Sequence, residues 1–210
     1  MAKEDSTFLF NTIAPVYGLF YGWQRRRSLQ VIDAARDTLD LFDYDSILDV
    51  GCGTGALCAV LSDLGFDATG IDPAEKMLGV AKRKAAGRPV RFVTGNVLEG
   101  LPFEDNSFDV AIASYVAHGM GGKERQVLYR EMARVARHKV ILYDYNQKRS
   151  TLTNIVEWME GGDYPNFIRN VDTELRLAFS QVDVIQVARQ TNWYICTPNP
   201  KPTDTDPSQA

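Results

Sequence analysis

Two carboxylates and a run of glycines carry the residue types in this chain that can do chemistry. Leu48-Asp49-Val50-Gly51-Cys52-Gly53-Thr54-Gly55 opens on an apolar run, turns through three glycines and leads into the amphipathic stretch 56–64. That pattern predicts a strand, a tight loop and a helix. Such a loop presents bare backbone, and the helix start aims N–H groups, at whatever lies against it. Gly51, Cys52 and Gly53 would therefore meet a ligand through their main chain. The spacing also fits the Gly-x-Gly-x-x-Ala form of dinucleotide sites, so the glycines alone leave the ligand open. Asp49 narrows the choice. A carboxylate just ahead of Gly51 repels a pyrophosphate and suits a ligand with an ammonium group and no phosphate. S-adenosylmethionine (SAM), which joins an amino acid, a sulfonium and an adenosine, is such a ligand. Asp72, roughly 20 residues beyond Gly51, ends the next predicted strand, where a carboxylate can accept from both ribose hydroxyls. Followed by Pro73, it can also start a helix.

The order hydrophobic-acid-hydrophobic-Gly-x-Gly-x-Gly resembles the first motif of class I SAM-dependent methyltransferases. Leu101-Pro102-Phe103-Glu104-Asp105-Asn106-Ser107-Phe108-Asp109-Val110 resembles the Leu-Pro-Phe-x-Asp-x-Ser-Phe-Asp-hydrophobic stretch of the same broad family. Phe10-Asn11-Thr12-Ile13-Ala14-Pro15-Val16-Tyr17 is similar to the Phe-Asp-x-x-Ala-x-x-Tyr-Asp opening of the ubiquinone/menaquinone-biosynthesis methyltransferases and their small-molecule relatives. Asn11 stands in place of the first acid of that opening and Gly18 in place of the second. The resemblance implies an α/β fold: a doubly wound, mostly parallel seven-stranded sheet of the Rossmann-like methyltransferase type, with a C-terminal antiparallel hairpin. It implies SAM as cofactor, a small-molecule methyl acceptor and Tyr17 lying over the cofactor. Where relatives carry an adenine-accepting Asp, this chain has Asn96, whose amide oxygen can still accept, with the Val97 N–H beside it. Family members usually follow the helix at 123–136 with Pro-Gly-Gly; here Ala136-Arg137-His138 leads straight into a strand.

Fold logic puts the carboxyl end of the strand 110–114 at the ligand crevice. Ser114, Tyr115, His118 and Gly119 then border the site. His118 is the candidate general base, since a neutral imidazole can take a proton from an O–H or N–H; Tyr17 is the second candidate catalytic residue. Met77, on the helix 74–86, can pack either on the adenine or in the core. Methyl transfer from a sulfonium is an in-line displacement that needs alignment and water exclusion more than a strong base. A nicotinamide-dependent oxidoreductase shares the glycines and Asp72, but no tyrosine here is followed four positions later by lysine. A SAM-binding protein without catalysis is the other alternative. Nucleic-acid methylation is disfavoured, because the chain lacks an Asn/Asp-Pro-Pro-aromatic motif and a Pro-Cys nucleophile.

The elements that must position these residues follow from periodicity. Strands are expected at 46–50, 67–71, 90–94, 110–114, 139–143, 182–187 and 193–196, and helices at 54–64, 74–86, 123–136, 151–160 and 166–180. Gln24-Arg25-Arg26-Arg27 opens a helix running to about residue 41. Ahead of it, residues 8–23 are rich in aromatics and interrupted by Pro15, Gly18 and Gly22. That predicts a short helix, then a turn-rich lid. Residues 1–45 thus form lid and helix, 46–197 the SAM-binding core, and 198–210 a disordered tail. With 45% hydrophobic residues the chain can bury one real core, and its net charge of −4 argues against extended nucleic-acid binding. No apolar run is long enough to span a membrane, and Met1-Ala-Lys-Glu-Asp-Ser lacks a signal layout. Cys52, Cys58 and Cys196 form no metal or disulfide spacing, which points to buried thiols, no metal and a cytoplasmic setting. Oligomeric state is not legible.

Overall fold

Five short apolar strands pair in parallel: β1 (Ser46–Val50), β2 (Asp67–Asp72), β3 (Val90–Thr94), β4 (Phe108–Ser114) and β5 (Ala136–Tyr145). Two more, β6 (Gln181–Ala188) and β7 (Thr191–Thr197), form a hairpin whose second strand lies antiparallel to β5. The sheet order is β3-β2-β1-β4-β5-β7-β6. These come from a computed structural model, which describes residues 3–34, 40–147 and 163–200. The expected seven-stranded, mostly parallel sheet with its closing hairpin is the one found.

Alternation along the strands feeds two cores, one on each face. Val110 and Ile112 of β4, Ile141 and Tyr143 of β5, and Trp193 and Ile195 of β7 share one face. They pack with Val31 and Ile32 of α2 (Tyr21–Ala34) and Val60 and Leu61 of α3 (Ala56–Asp63). Ala111 and Ala113, Val140 and Leu142, and Tyr194 and Cys196 point the other way. There they meet Leu128 and Met132 of α5 (Gly122–Val135) and Phe167, Ile168 and Val171 of α6 (Tyr164–Ala178). A helix α4 (Glu75–Lys84) covers the β2–β3 side. Between α5 and α6, Arg125 is 1% exposed yet well satisfied. It donates to both carboxylate oxygens of Glu174 at 2.7 Å, to Asp163 at 3.1 Å and to the Met120 carbonyl at 2.6 Å.

The N-terminal expectation needs correction. α1 (Lys3–Leu19) is one continuous helix with Pro15 inside it, and α2 begins at Tyr21, three residues earlier than expected. Tertiary packing outweighs the local cost of proline. Ala14 is 1% exposed and packs with Ala74 and Met77. Asn11 Oδ1 accepts from the Lys76 N–H at 2.9 Å, so α1 caps the first turn of α4 in trans. Gly18 does not break the helix; it lets α1 approach α4, where a Cβ would lie 3.4 Å from Val80. The chain turns instead at Phe20, whose N–H donates to the Tyr17 carbonyl. α2 is described to Ala34; residues 35–39 lie outside the described residues, as do the helix expected at 151–160 and the tail from 201. Asp40–Asp43 forms one 3-10 turn that buries Leu41.

Two smaller differences have simple causes. β5 starts at Ala136, directly from α5, because Ala136 already has extended backbone and pairs with Phe108 across a bulge. α6 starts at Tyr164, with Pro165 in its first turn, where no N–H is missed.

Gly55 illustrates how tightly the loop after β1 is packed. Its φ is +72°, and a Cβ there would lie 2.8 Å from both Ala81 and Phe92, whereas Gly53 (φ +52°) has nothing within 4 Å. Gly55→Ala is expected to lose about 2–3 kcal/mol, and Gly53→Ala clearly less. Urea unfolding midpoints of the two variants check this; equal losses would refute the packing difference.

Candidate active site

The sheet order reverses between β1 and β4, and the crevice at the carboxyl ends of those strands is where a ligand belongs in such a fold. The loop after β1 is tied down by its own backbone: Gly51 N–H and Cys52 N–H both donate to the Ile71 carbonyl, at 2.8 and 3.1 Å. Asp72 ends β2 and bridges the loop to α4. Its Oδ2 accepts from Gly53 N–H and its Oδ1 from Ala74 N–H, each at 2.8 Å. Burial pushes the Asp72 carboxyl up, and those two N–H groups partly offset it. Pro73 follows between strand and helix. Asp72 is not the helix N-cap, which is Ala74 without a side-chain cap bond; it holds the turn ahead of α4, and each carboxylate oxygen retains a lone pair for a further donor.

Asp49 is in a different position. It is 2% exposed. Oδ2 accepts from the Cys58 thiol at 3.2 Å, while Oδ1 is buried with no hydrogen-bond partner. Burial pushes its carboxyl up to about 7; the Cys58 thiol opposes the shift and the charge of Asp72 adds to it. Cys52 and Cys58 turn their sulfurs toward β2, so that a Cβ on Gly70 would lie 2.8 Å from each. The Cys52 thiol is thus turned into the core, its N–H and carbonyl are bonded to Ile71 and Gly55, and the N–H groups of Gly51 and Gly53 are likewise engaged inside the protein.

α1 packs on α4 and α2 on α3, forming a roof over those two helices. Thr54 Oγ1 donates to Gln24 Oε1 at 2.8 Å, and Tyr21 packs on Ala56 and Ala59, which fixes α2 over the start of α3. Tyr17 packs with Ile13, Ala74 and Met77. Met77 thus takes the core role of its two expected ones. Asn96 Oδ1 accepts from Leu98 N–H at 3.0 Å and starts the 3-10 turn Val97–Glu99, so its plain turn role is also present.

At the ends of β4 and β5 a polar and aromatic cluster gathers. Ser114 ends β4, and Tyr115 follows with φ 56°, a strained conformation for a residue with a side chain. His118 Nδ1 lies 2.8 Å from Asp144 Oδ1. Asp144, 1% exposed, also accepts from the N–H groups of Ala117, His118 and Tyr145. Tyr145 packs on His118, with ring centroids 4.9 Å apart. On the roof side, Arg27 Nε donates to Tyr143 Oη at 3.2 Å, and the Tyr115 and Tyr143 hydroxyls are 3.0 Å apart. Tyr17 and His118 belong to different clusters, the first with α4 and the second with β5. From the sequence, Tyr143 and Asp144 close a strand, where their side chains either meet substrate or simply end the strand, and Arg27 belongs to a solvated helix face or to a pocket mouth. The available signal was an acid closing an apolar run.

Residues 48–143 match the family model described as a methyltransferase domain. These residues are a methyltransferase domain. Two curated relatives, both named demethylmenaquinone methyltransferase, are each 32% identical. The one from Renibacterium salmoninarum matches over 140 residues (64% of this chain, 55% of the relative), and the one from Thermus thermophilus over 136 residues (60% of each). The chain thus spans little more than half the length of these relatives. Among solved structures, the DhpI–SAH complex superposes with a TM-score of 0.70 at 16% identity, covering 94% of this chain and 97% of that one, a likeness of fold. The methyltransferase domain contains Asp49, Asp72, Asn96, Ser114, His118 and Tyr143. Asp144 lies one residue past the match, and Tyr17, Gln24 and Arg27 come from the roof outside it. None of these comparisons supports a nicotinamide enzyme.

The Asp49 carboxyl should titrate near neutrality. Carbon-13 NMR of the side-chain carboxyls is expected to show one resonance with a pKa of about 7, lost in Asp49→Asn. In Cys58→Ala it should move higher still, because the thiol favours the ionised form. A carboxyl titrating in the ordinary range would contradict the burial described.

Proposed function

We propose that this protein binds SAM in the crevice between β1, β2 and β4 and transfers its methyl group to a small-molecule acceptor. The observation that carries the reading is Asp49 Oδ1, a buried carboxylate oxygen with no partner. An uncompensated buried charge is costly, and an ammonium group brought into the crevice compensates it. The open space over Gly53 leaves room for the ligand against bare backbone. Asp72 then accepts from ribose hydroxyls through its remaining lone pairs, beside Pro73. Val97 N–H and Asn96 lie at the adenine end, and Ser114 at the methionine end. Tyr17 closes over the nucleoside as part of the roof, held there by the core packing of Met77. When bound, SAM supplies an activated methyl group on a sulfonium.

The chain's own residues align the acceptor and exclude water. Asp144 accepts from three backbone N–H groups, so it acts as a carboxylate, and a carboxylate oxygen at 2.8 Å holds a proton on His118 Nδ1. Nε2 is then the nitrogen that can take an acceptor's proton. Tyr115 links the Arg27–Tyr143 contact to His118, its hydroxyl donating to Tyr143 Oη, which also accepts from Arg27, and its ring lying against His118. The name of the relatives, demethylmenaquinone methyltransferase, makes a quinone-type ring the first acceptor to try. The three free, buried thiols support a cytoplasmic setting, and the net charge of −4 supports a small acceptor over nucleic acid.

Because the ligand's ammonium favours ionised Asp49, affinity should fall as pH drops through about 7, by up to roughly tenfold per unit. Isothermal titration with SAM across that range tests this; a flat profile removes Asp49 from the site. Asp72→Ala should weaken SAM by roughly tenfold or more, with the unfolding midpoint measured alongside. An unchanged dissociation constant would exclude ribose binding by Asp72.

Labelled SAM screened against acceptors tests turnover. Tight binding without any acceptor would favour a non-catalytic role, and stabilisation by NAD without SAM would overturn the assignment. With the acceptor found, His118→Gln should lower kcat on the order of 100-fold and leave SAM affinity unchanged. Unaltered kcat would dismiss the base.

A further inference from the structure

The roof uses only some of the N-terminal aromatics. Tyr17 and Tyr21 point inward. Facing solvent are Phe8 (74% exposed), Val16 (53%), Leu19 (82%), Phe20 (56%) and Trp23 (65%). They are not scattered. Phe8, Val16 and Leu19 share one side of α1, and Phe20 and Trp23 continue that surface across the turn into α2. Isolated exposed apolar residues need no account, but three on one side of α1 followed at once by two more at the start of α2 mark an interaction surface.

Charge says what kind. Between Asp5 and Asp33 the chain has no acidic residue and three arginines, although its net charge is −4. Arg26 is exposed one helical turn beyond Trp23, and the last turn of α4 exposes Lys82, Arg83 and Lys84. Lys84 Nζ lies 5.5 Å over the Tyr21 ring, which brings that basic turn beside the α1–α2 junction. The apolar surface therefore has a cationic rim.

We propose that this face docks on the surface of an anionic phospholipid bilayer. The side chains of Leu19, Phe20 and Trp23 would enter the headgroup boundary, and Arg26 and the last turn of α4 would meet lipid phosphates. Tryptophan and phenylalanine beside basic residues is the composition of interfacial helices. A symmetric second copy is the poorer occupant, because it would bring the two cationic rims together. Among the described residues no helix is long and apolar enough to cross a membrane, so the mode is docking at the surface.

The test is co-sedimentation of the full chain with vesicles of phosphatidylcholine alone and of equal parts phosphatidylcholine and phosphatidylglycerol. Binding is expected to the mixed vesicles, with little to the neutral ones, and release at high salt. The pairs L19Q/W23Q and R26E/R83E should each weaken it on the order of tenfold, with unchanged circular dichroism and thermal midpoint. Three results would overturn the proposal. One is no binding to mixed vesicles. Another is binding indifferent to lipid charge and to both pairs. The third is self-association that L19Q/W23Q abolishes, with no vesicle binding. SAM binding, measured separately, reports on the methyltransferase reading independently.

Discussion

A carboxyl held out of water at the end of β1 is the constraint to which the rest of the site answers. Asp49 sits in the second-last position of a buried strand, with only a thiol for a partner. The neighbouring strand ends in Asp72, whose charge raises the Asp49 carboxyl further. The two acids are treated differently. Asp72 is engaged by two backbone N–H groups and thereby sets the shape of the glycine loop and the start of α4. Asp49 has an oxygen left over. One acid builds the cradle and the other supplies its electrostatic demand, so a cationic ligand improves the protein's own energetics as it binds.

The parallel core was legible in the sequence because local pattern and global fold agree there. Strands 46–50 and 90–94 have the expected bounds, since each apolar run ends in a turn-forming residue. The glycine loop and both acids were likewise readable, as they sit in one continuous stretch and at one fixed offset. Where reading failed, contacts distant in sequence were the cause. Pro15 looks like a break until Ala14 is seen against Ala74 and Met77, and Asn11 against Lys76. The His118–Asp144 contact joins residues 26 positions apart, and that of Arg27 with Tyr143 joins residues 116 apart. No spacing rule reaches such pairs.

The Leu101–Val110 motif shows a related point: a family signature need not touch ligand. Arg134 donates to the carbonyls of Leu101 and Phe103, and Glu131 accepts from Leu101 N–H. Asp109 accepts from Ser46 and Asp45 N–H groups. The motif holds the entrance to β4 against α5 and β1, far from the carboxyl ends of the strands. Its pattern records how the sheet is held together.

Arg125 fastens α6 to α5. Drawing α6 away from α5 would strand a guanidinium in an apolar interior with its carboxylates removed, a severe penalty. The α1–α2 roof is held by the Gln24–Thr54 bond, the Asn11 cap, the Arg27–Tyr143 contact and a surface pair of Arg25 with Asp63. The Arg25–Asp63 pair, half exposed, adds little, whereas the bonds to buried Thr54 and Tyr143 hold more firmly. The α1–α2 side carries apolar packing as well, through Ala14 on Ala74 and Met77 and through Val31 and Ile32 in the core, so it is the buried guanidinium, and not the number of polar bonds, that sets the α5–α6 side apart.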